Sequence, residues 1–223
     1  RRPWVIRGIK VLMKCAKIAV FLEFHQLDFE RVMSTMSRLP AKLRTTAGDS
    51  VEKIVLGGGC FWCVEGALKG LRGVSEVTPG YSGGHVENPT YEQVCRKRTG
   101  HAEVVRVFFD ADTIDTATLL EVFFTCHDPT QLNRQGNDIG PQYRSAAFYS
   151  NEEQKSSIED AITKSSTLYD APIVTEVGPL INFFVAEDYH HDYFVNNPGN
   201  PYCRMVVAPK IAKTRAKHAP LYD

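Results

Sequence analysis

The chain has 223 residues, 43% of them hydrophobic and 23% charged, with 26 basic side chains balanced by 26 acidic ones. That is the length and composition of a globular protein with one sizeable core, and a net charge of zero gives no electrostatic reason to expect a nucleic acid or an anionic membrane as partner. The six cysteines, Cys15, Cys60, Cys63, Cys95, Cys126 and Cys203, are scattered through a chain rich enough in apolar residues to fold without disulfide staples, so reduced thiols in a cytosol-like compartment, one or more of them reactive, are expected.

Residues 1–50 differ from the rest. Arg1, Arg2, Arg7, Lys10, Lys14 and Lys17 precede the first acid, Glu23, and the apolar run Ile18 to Leu22 is far too short to span a bilayer. The stretch partly fits a mitochondrial targeting segment until Glu23, Asp28 and Glu30 break the pattern. Met33 and Met36 are candidate starts, and Met33 to Arg44 would itself serve as a short basic presequence. Thr45 to Ser50 reads as a linker. The expected division is therefore an N-terminal extension, 1–50, and a catalytic domain, 51–223, with an N-terminal helix packed on the domain as the alternative. The compartment follows from the start used: cytoplasm, or mitochondrion if the segment is a presequence.

From Val51 onward the signals are dense. Lys53–Leu56 reads as a strand, Gly57-Gly58-Gly59 as a turn, and Cys60 to Leu71 as a helix with Val64, Ala67, Leu68 and Leu71 on one face. Val74–Tyr81 is extended and Ser82 to His85 is a second glycine-rich turn. Asn88-Pro89-Thr90 caps a short helix, Tyr91 to Cys95. His101 to Asp110 is a strand, and Thr116 to Cys126 a helix that is apolar over most of its surface. His127 to Arg144 is a long polar loop of the kind that carries function in a compact domain. Ser145–Tyr149 is a strand, Glu152 to Ser165 an amphipathic helix and Val174–Pro179 a strand. Glu187 to Asn196 reads as a helix opened by acids. Asn197 to Tyr202 is an irregular tail leading to Cys203, with Met205–Ala208 a possible last strand and a basic, loosely held end from Ala212. Strands and helices mix without strict alternation, which predicts an α/β (α+β) two-layer sandwich around a mixed sheet.

The chemistry centres on Cys60. A thiol at the junction of a strand, a glycine run and a helix start meets free amides and the positive end of a helix dipole, both of which favour a thiolate. Phe61 and Trp62 set two aromatic faces beside the sulfur. Glu103 stands at the start of a hydrophobic strand, where a carboxylate has little structural use unless it is an edge-strand surface charge. Glu65, five positions after Cys60 on a helix, lies off the nucleophile's face and reads as a supporting charge. Cys95 and Cys126 lie on apolar helix faces and read as inert core. Cys60-x-x-Cys63 alone would suit a thioredoxin-like dithiol oxidoreductase, but the glycine triplet, Tyr91 and Glu103 have no task in that chemistry. A zinc site from Cys60, Cys63, Cys203 and the adjacent His190 and His191 lacks a second properly spaced pair of ligands; the two histidines are expected to cap or pack the C-terminal helix.

Several motifs occur together and in order: Gly59-Cys60-Phe61-Trp62-x-x-Glu65, Gly80-Tyr81-Ser82-Gly83-Gly84, Asn88-Pro89-Thr90-Tyr91-Glu92, Thr99-Gly100-His101-Ala102-Glu103, His127-Asp128-Pro129-Thr130-Gln131, Arg134 to Ser145, and Asn197-Pro198 through Tyr202-Cys203. In these the chain resembles the peptide methionine sulfoxide reductase A family, over roughly residues 54–213. The resemblance implies a ferredoxin-like core with a long irregular C-terminal tail, and an activity: thiol-dependent reduction of methionine S-sulfoxide, free or in proteins and peptides, as repair of oxidative damage. It implies Cys60 as nucleophile and Glu103 as the acid that protonates the departing oxygen. Tyr91 and Tyr143 become phenols that hold that oxygen, Asp138 an acid that orients substrate or water, and Phe61 and Trp62 the substrate-binding pocket for the ε-methyl. The sulfenic acid left on Cys60 condenses with a thiol, for which Cys203 on its tail is the family match. The chain departs from the commonest pattern in having no cysteine after Cys203 and in having Cys63 where glycine is common, so Cys63 is the other candidate resolver. No bound cofactor or metal is implied; thioredoxin or another dithiol serves as reductant. A monomer is expected.

Overall fold

The computed structural model of the protein describes residues Ser50–Asp223. The expectations for the first 49 residues, with Cys15, Met33 and Met36, lie outside the described residues. The elements in chain order are β1 (Val51–Gly58), α1 (Phe61–Leu68), β2 (Val74–Ser82), α2 (Tyr91–Cys95), β3 (Ala102–Asp110), α3 (Thr116–Cys126), β4 (Arg134–Gln135), β5 (Asp138–Ile139), β6 (Ser145–Tyr149), α4 (Glu152–Ser166), β7 (Glu176–Pro179), β8 (Phe184–Val185), α5 (Tyr193–Asn196) and α6 (Ala208–Lys217). A six-stranded sheet has the order β7-β6-β1-β3-β2-β8. Its pairings are antiparallel except β6 with β7, which is parallel. The expected mixed-sheet α/β architecture is therefore observed.

The sheet's two faces follow from strand alternation. Ile54 and Leu56 of β1 stand opposite Val107 and Val105 of β3, and with Phe109 they bury a face against Val64, Leu68, Leu119, Leu120 and Phe123 of α1 and α3. Val55, Val104, Ala146 and Phe148 line the other face, covered by Leu180 and Phe183 from the segment before β8. Each such large side chain taken out of water contributes about 1.5–3 kcal/mol. Caps set several helix ends. Thr90 and Gln93 form a reciprocal capping box at α2, and Asp115 and Asn151 accept from the backbone at the starts of α3 and α4.

The C-terminal third departs from the sequence reading. Glu187 to Asn196 is not one helix: a single 3-10 turn, Asp188–His190, is separated from α5 by Asp192, whose left-handed backbone (φ 53°) turns its N–H to the Glu65 carboxylate at 3.0 Å. Met205–Ala208 is not a strand. A wide helical turn, Cys203–Val207, runs directly into α6, ahead of Pro209, whose missing N–H would leave an ordinary turn one bond short. The end from Ala212 is held: Thr214 and His218 are buried, Arg215 donates to the carbonyls of Gly66 (3.0 Å) and Lys69 (2.8 Å), and the Tyr222 hydroxyl donates to Ala67 O. These donors satisfy the carbonyl end of α1 and put a cation at its negative pole. α1 ends earlier than expected, at Leu68, and Leu71 instead forms a bridge with Tyr222.

Candidate active site

Three glycines carry the chain from β1 into α1. A Cβ on Gly58 would lie 3.0 Å from the His127 ring. On Gly59, whose φ is +89°, it would lie 2.6 Å from Gln135 Cβ, so only glycine fits this turn. The two packing partners are fixed themselves. Gln135 accepts from Asp128 N and donates to Asp128 O. His127 is buried, and burial lowers its pKa to about 4 despite the Phe123 carbonyl and the Asp128 charge. Its neutral ring donates from Nδ1 to Phe123 O (3.0 Å) and accepts at Nε2 from the Ser145 hydroxyl (2.8 Å).

This turn delivers Cys60 to the N-cap of α1 with 6% of its surface exposed. Burial raises its pKa well above the ordinary thiol value. The neighbouring Cys63 adds to that, and the Trp62 N–H and the nearby Tyr202 hydroxyl only partly oppose it. Cys60 is held as a thiol, not the thiolate the helix start alone would favour. Glu103 sits on β3, between β1 and β2 and opposite Tyr81, so it is an interior-strand residue rather than an edge charge. It is 2% exposed, and its Oε2 accepts from Phe61 N–H, the first amide of α1, at 3.2 Å. Burial, then the proximity of Cys60, raises its pKa well above the usual carboxylate range, outweighing the amide. The site at rest therefore holds two neutral acids side by side.

Around them is a pocket of about 170 Å³ lined by Cys60, Phe61, Trp62, Tyr91, Glu103, Asp138, Tyr143 and Tyr202. Burial, then the nearby Glu103 carboxyl, pushes the phenols of Tyr91 and Tyr143 above their usual range, so both remain donors at neutral pH. Trp62 is fixed on three sides. It stacks on Tyr193 at 3.7 Å between centroids, meets the Tyr202 ring edge-on at 6.0 Å, and donates from Nε1 to His190 Nδ1 at 3.2 Å. Asp138 accepts from the Tyr202 hydroxyl at 2.6 Å. A larger groove of about 460 Å³ lies elsewhere, between α3, α4 and α6, and holds no cysteine, histidine or catalytic pair.

Of the nine residues read from the sequence as catalytic or substrate-binding, seven line this pocket: Cys60, Phe61, Trp62, Tyr91, Glu103, Asp138 and Tyr143. Cys63 and Cys203 join Cys60 in one buried cluster with Val207 and Ile211. Cys203 does not ride a mobile tail: it is fully buried in the helical turn that begins the C-terminal helix, because α1 and α6 pack over it. Cys126 is buried and its thiol is pushed up to about 12 by burial, as inert core should be. Cys95 is not core. It is half-buried, within hydrogen-bonding reach of the Tyr91 phenol and in the field of Glu103. His190 does not cap a helix; it is wholly buried as the partner of Trp62. Sequence reading missed Tyr202, Tyr193 and His190 as wall-builders. The one local signal was the density of aromatic and histidine residues just before Cys203. Among the described residues no group of three or more His, Cys, Asp or Glu side chains is placed to hold a metal ion.

A sequence profile of the family described as peptide methionine sulfoxide reductase matches residues 52–221. The peptide methionine sulfoxide reductase MsrA of Saccharolobus solfataricus is 53% identical over 163 residues, covering 73% of this chain and 92% of that protein. Its counterpart from Thermus thermophilus is 54% identical over 164 residues, covering 74% and 93%. The solved methionine sulfoxide reductase A of Corynebacterium diphtheriae superposes with a TM-score of 0.62 at 34% identity, over 71% of this chain and 81% of that one.

Proposed function

The chain belongs to the peptide methionine sulfoxide reductase A family, an oxidoreductase that reduces methionine sulfoxide by thiol chemistry, and we propose that Cys60 is its nucleophile and Glu103 its acid. The observation that carries this is the buried pair itself: a thiol and a neutral carboxylic acid in one small pocket with two phenols. The substrate's methyl group lies against Phe61 and Trp62, and its oxygen takes hydrogen bonds from Tyr91 and Tyr143. Cys60 sulfur bonds to the sulfoxide sulfur as Glu103 protonates the oxygen, and the proton of the Cys60 thiol passes to Glu103 in place of the one it has given up. The hydroxyl then passes to Cys60, leaving methionine and a sulfenic acid. Asp138 holds Tyr202 beside Cys60 through its 2.6 Å bond. Selectivity for the S-sulfoxide rests on the family resemblance.

A second thiol displaces water from the sulfenic acid to form a disulfide, and thioredoxin or another dithiol returns both cysteines to thiols by exchange. Cys203 is the resolver by its match to the family; Cys63, whose thiol contacts that of Cys60, is the competitor. Mass spectrometry after one equivalent of methionine sulfoxide should find Cys60 joined to Cys203, and a Cys60–Cys63 bridge would transfer the role. Cys60→Ser should yield no methionine at all. Cys63→Ser should keep the first turnover; losing it there would favour a dithiol exchange enzyme instead.

A further inference from the structure

Two walls of the pocket trace back to one carboxylate. Glu187 lies two residues beyond β8, whose register on β2 is fixed by Gly80 opposite Val185 and Tyr81 opposite Phe184. Its two oxygens serve different elements. Oε1 accepts from Tyr91 N–H, the first amide of α2, at 2.8 Å, and Oε2 accepts from the Tyr81 hydroxyl at 2.8 Å. α2 has only five residues, too few to hold a position by its own hydrogen bonds, and its capping box ties it only to itself. Val94 buries the helix against the core, and Glu187 adds the hydrogen-bonded tie between its first amide and the sheet, at the residue that carries the Tyr91 phenol.

The same carboxylate reaches the other wall through His190. The backbone N–H of His190 donates to the backbone carbonyl of Glu187 at 2.9 Å, which closes the turn and brings the ring within reach of the carboxylate. Its ring is packed against Tyr91 at 4.5 Å and Phe61 at 4.8 Å between centroids. Because Nδ1 accepts from Trp62, the ring proton of neutral His190 is on Nε2. That buried nitrogen has no hydrogen-bond partner, and Glu187 Oε2 stands 3.8 Å from it. An anion on that side stabilises the N–H there and leaves the Nδ1 lone pair to the indole. Burial raises the Glu187 pKa, but the amides of Tyr91 and Glu187 and the Tyr81 hydroxyl outweigh it and hold the group below the usual carboxylate range.

We propose that Glu187 is a positioning residue of the reductase site, fixing Tyr91 directly and Trp62 through His190, although it does not line the pocket. The proposal rests on the reductase reading above. The test is a double-mutant cycle on the single-turnover rate of methionine formation, with wild type, Glu187→Ala, Tyr91→Phe and the double variant. Glu187→Ala should slow the turnover about tenfold, the effect of a lost charged acceptor of about 1.4 kcal/mol. In the Tyr91→Phe background it should cost less than about threefold. The Trp62 indole N–H resonance should move in Glu187→Ala, and Glu187→Gln, which keeps an acceptor for Tyr91 N–H, should recover most of the rate. Multiplicative losses with an unmoved indole signal overturn the positioning role alone. A wild-type protein that makes no methionine overturns the reductase reading with it.

Discussion

Glu65 gives a prediction whose sign and size both come from the structure. It lies on α1 with 3% of its surface exposed. Burial, with the Asp192 charge, raises its pKa from 4.5 to about 7, although the Asp192 amide and Lys69 favour the ionised form. A carboxyl that holds its proton more tightly when folded stabilises the fold below its unfolded pKa. That advantage is lost as the pH rises from about 4.5 through about 7. At about 1.36 kcal/mol per pH unit the loss is about 3 kcal/mol, against a total stability of about 5–15 kcal/mol for a domain. Glu65→Gln removes the titration while its amide oxygen still accepts from Asp192 N–H. Urea unfolding of both proteins from pH 4.5 to 8.5, with reductant to keep the thiols free, isolates the residue, because every other titrating group cancels in the difference. The stability of the variant relative to wild type should rise with pH by about 3 kcal/mol and level off above the folded pKa. A difference that stays flat, or falls, refutes the reasoning.

The remaining expectations concern the nucleophile and its supports. Alkylation of Cys60 by iodoacetamide without substrate should rise with a midpoint above that of a free cysteine, since limited access slows the reaction at every pH but does not shift the midpoint; a midpoint below it would contradict the buried neutral thiol. Glu103→Gln should lower the single-turnover rate by about 10²-fold or more, and an unchanged rate removes Glu103 from the acid role. Gly59→Ala must place a Cβ 2.6 Å from Gln135 at φ +89°, so denaturant unfolding should show a loss of at least about 1–3 kcal/mol. Arg215→Met, which strips the Gly66 and Lys69 carbonyls of a charged donor, should cost about 1 kcal/mol in the same assay, and an unchanged midpoint would show that water replaces the guanidinium.

Local grammar made most of the fold and site legible in the sequence. α2 and α3 begin and end where their caps and apolar patterns put them, because Thr90 and Asp115 supply the acceptor that the first helical amides need. The glycine run was readable because close approach leaves a residue-level mark. The C-terminal third was not. Met205-Val206-Val207 has the composition of a strand, yet it is helical because Ile211 on the following helix fills the space over Gly66, where a Cβ would come within 2.2 Å. The break at Asp192 was equally hidden, since its left-handed backbone is secured by Glu65, 127 residues earlier in the chain. Partners that far apart leave no periodicity to read. His190 and Tyr193 escaped for the same reason: their role is contact with Trp62.

The larger lesson lies in the nucleophile. From the sequence, a cysteine at a helix start implies a low pKa, and a helix N-terminus is worth about 0.3–1 kcal/mol, reaching about 2 kcal/mol when partly buried. Withdrawing a charge to a site as buried as that of Cys60 costs several kcal/mol, so burial wins and Cys60 stays protonated. The same burial keeps the proton on Glu103. Ionising either group raises the cost of ionising the other, so the pair is held neutral. A sulfoxide brings a polarised oxygen that accepts a proton and a sulfur that accepts an electron pair. In the mechanism proposed above it removes the two obstacles together: Glu103 gives its proton to the oxygen and takes up that of the Cys60 thiol as the Cys60 sulfur forms its bond. Reactivity in such a site depends on the substrate being present, which spares the thiol from indiscriminate oxidants in between.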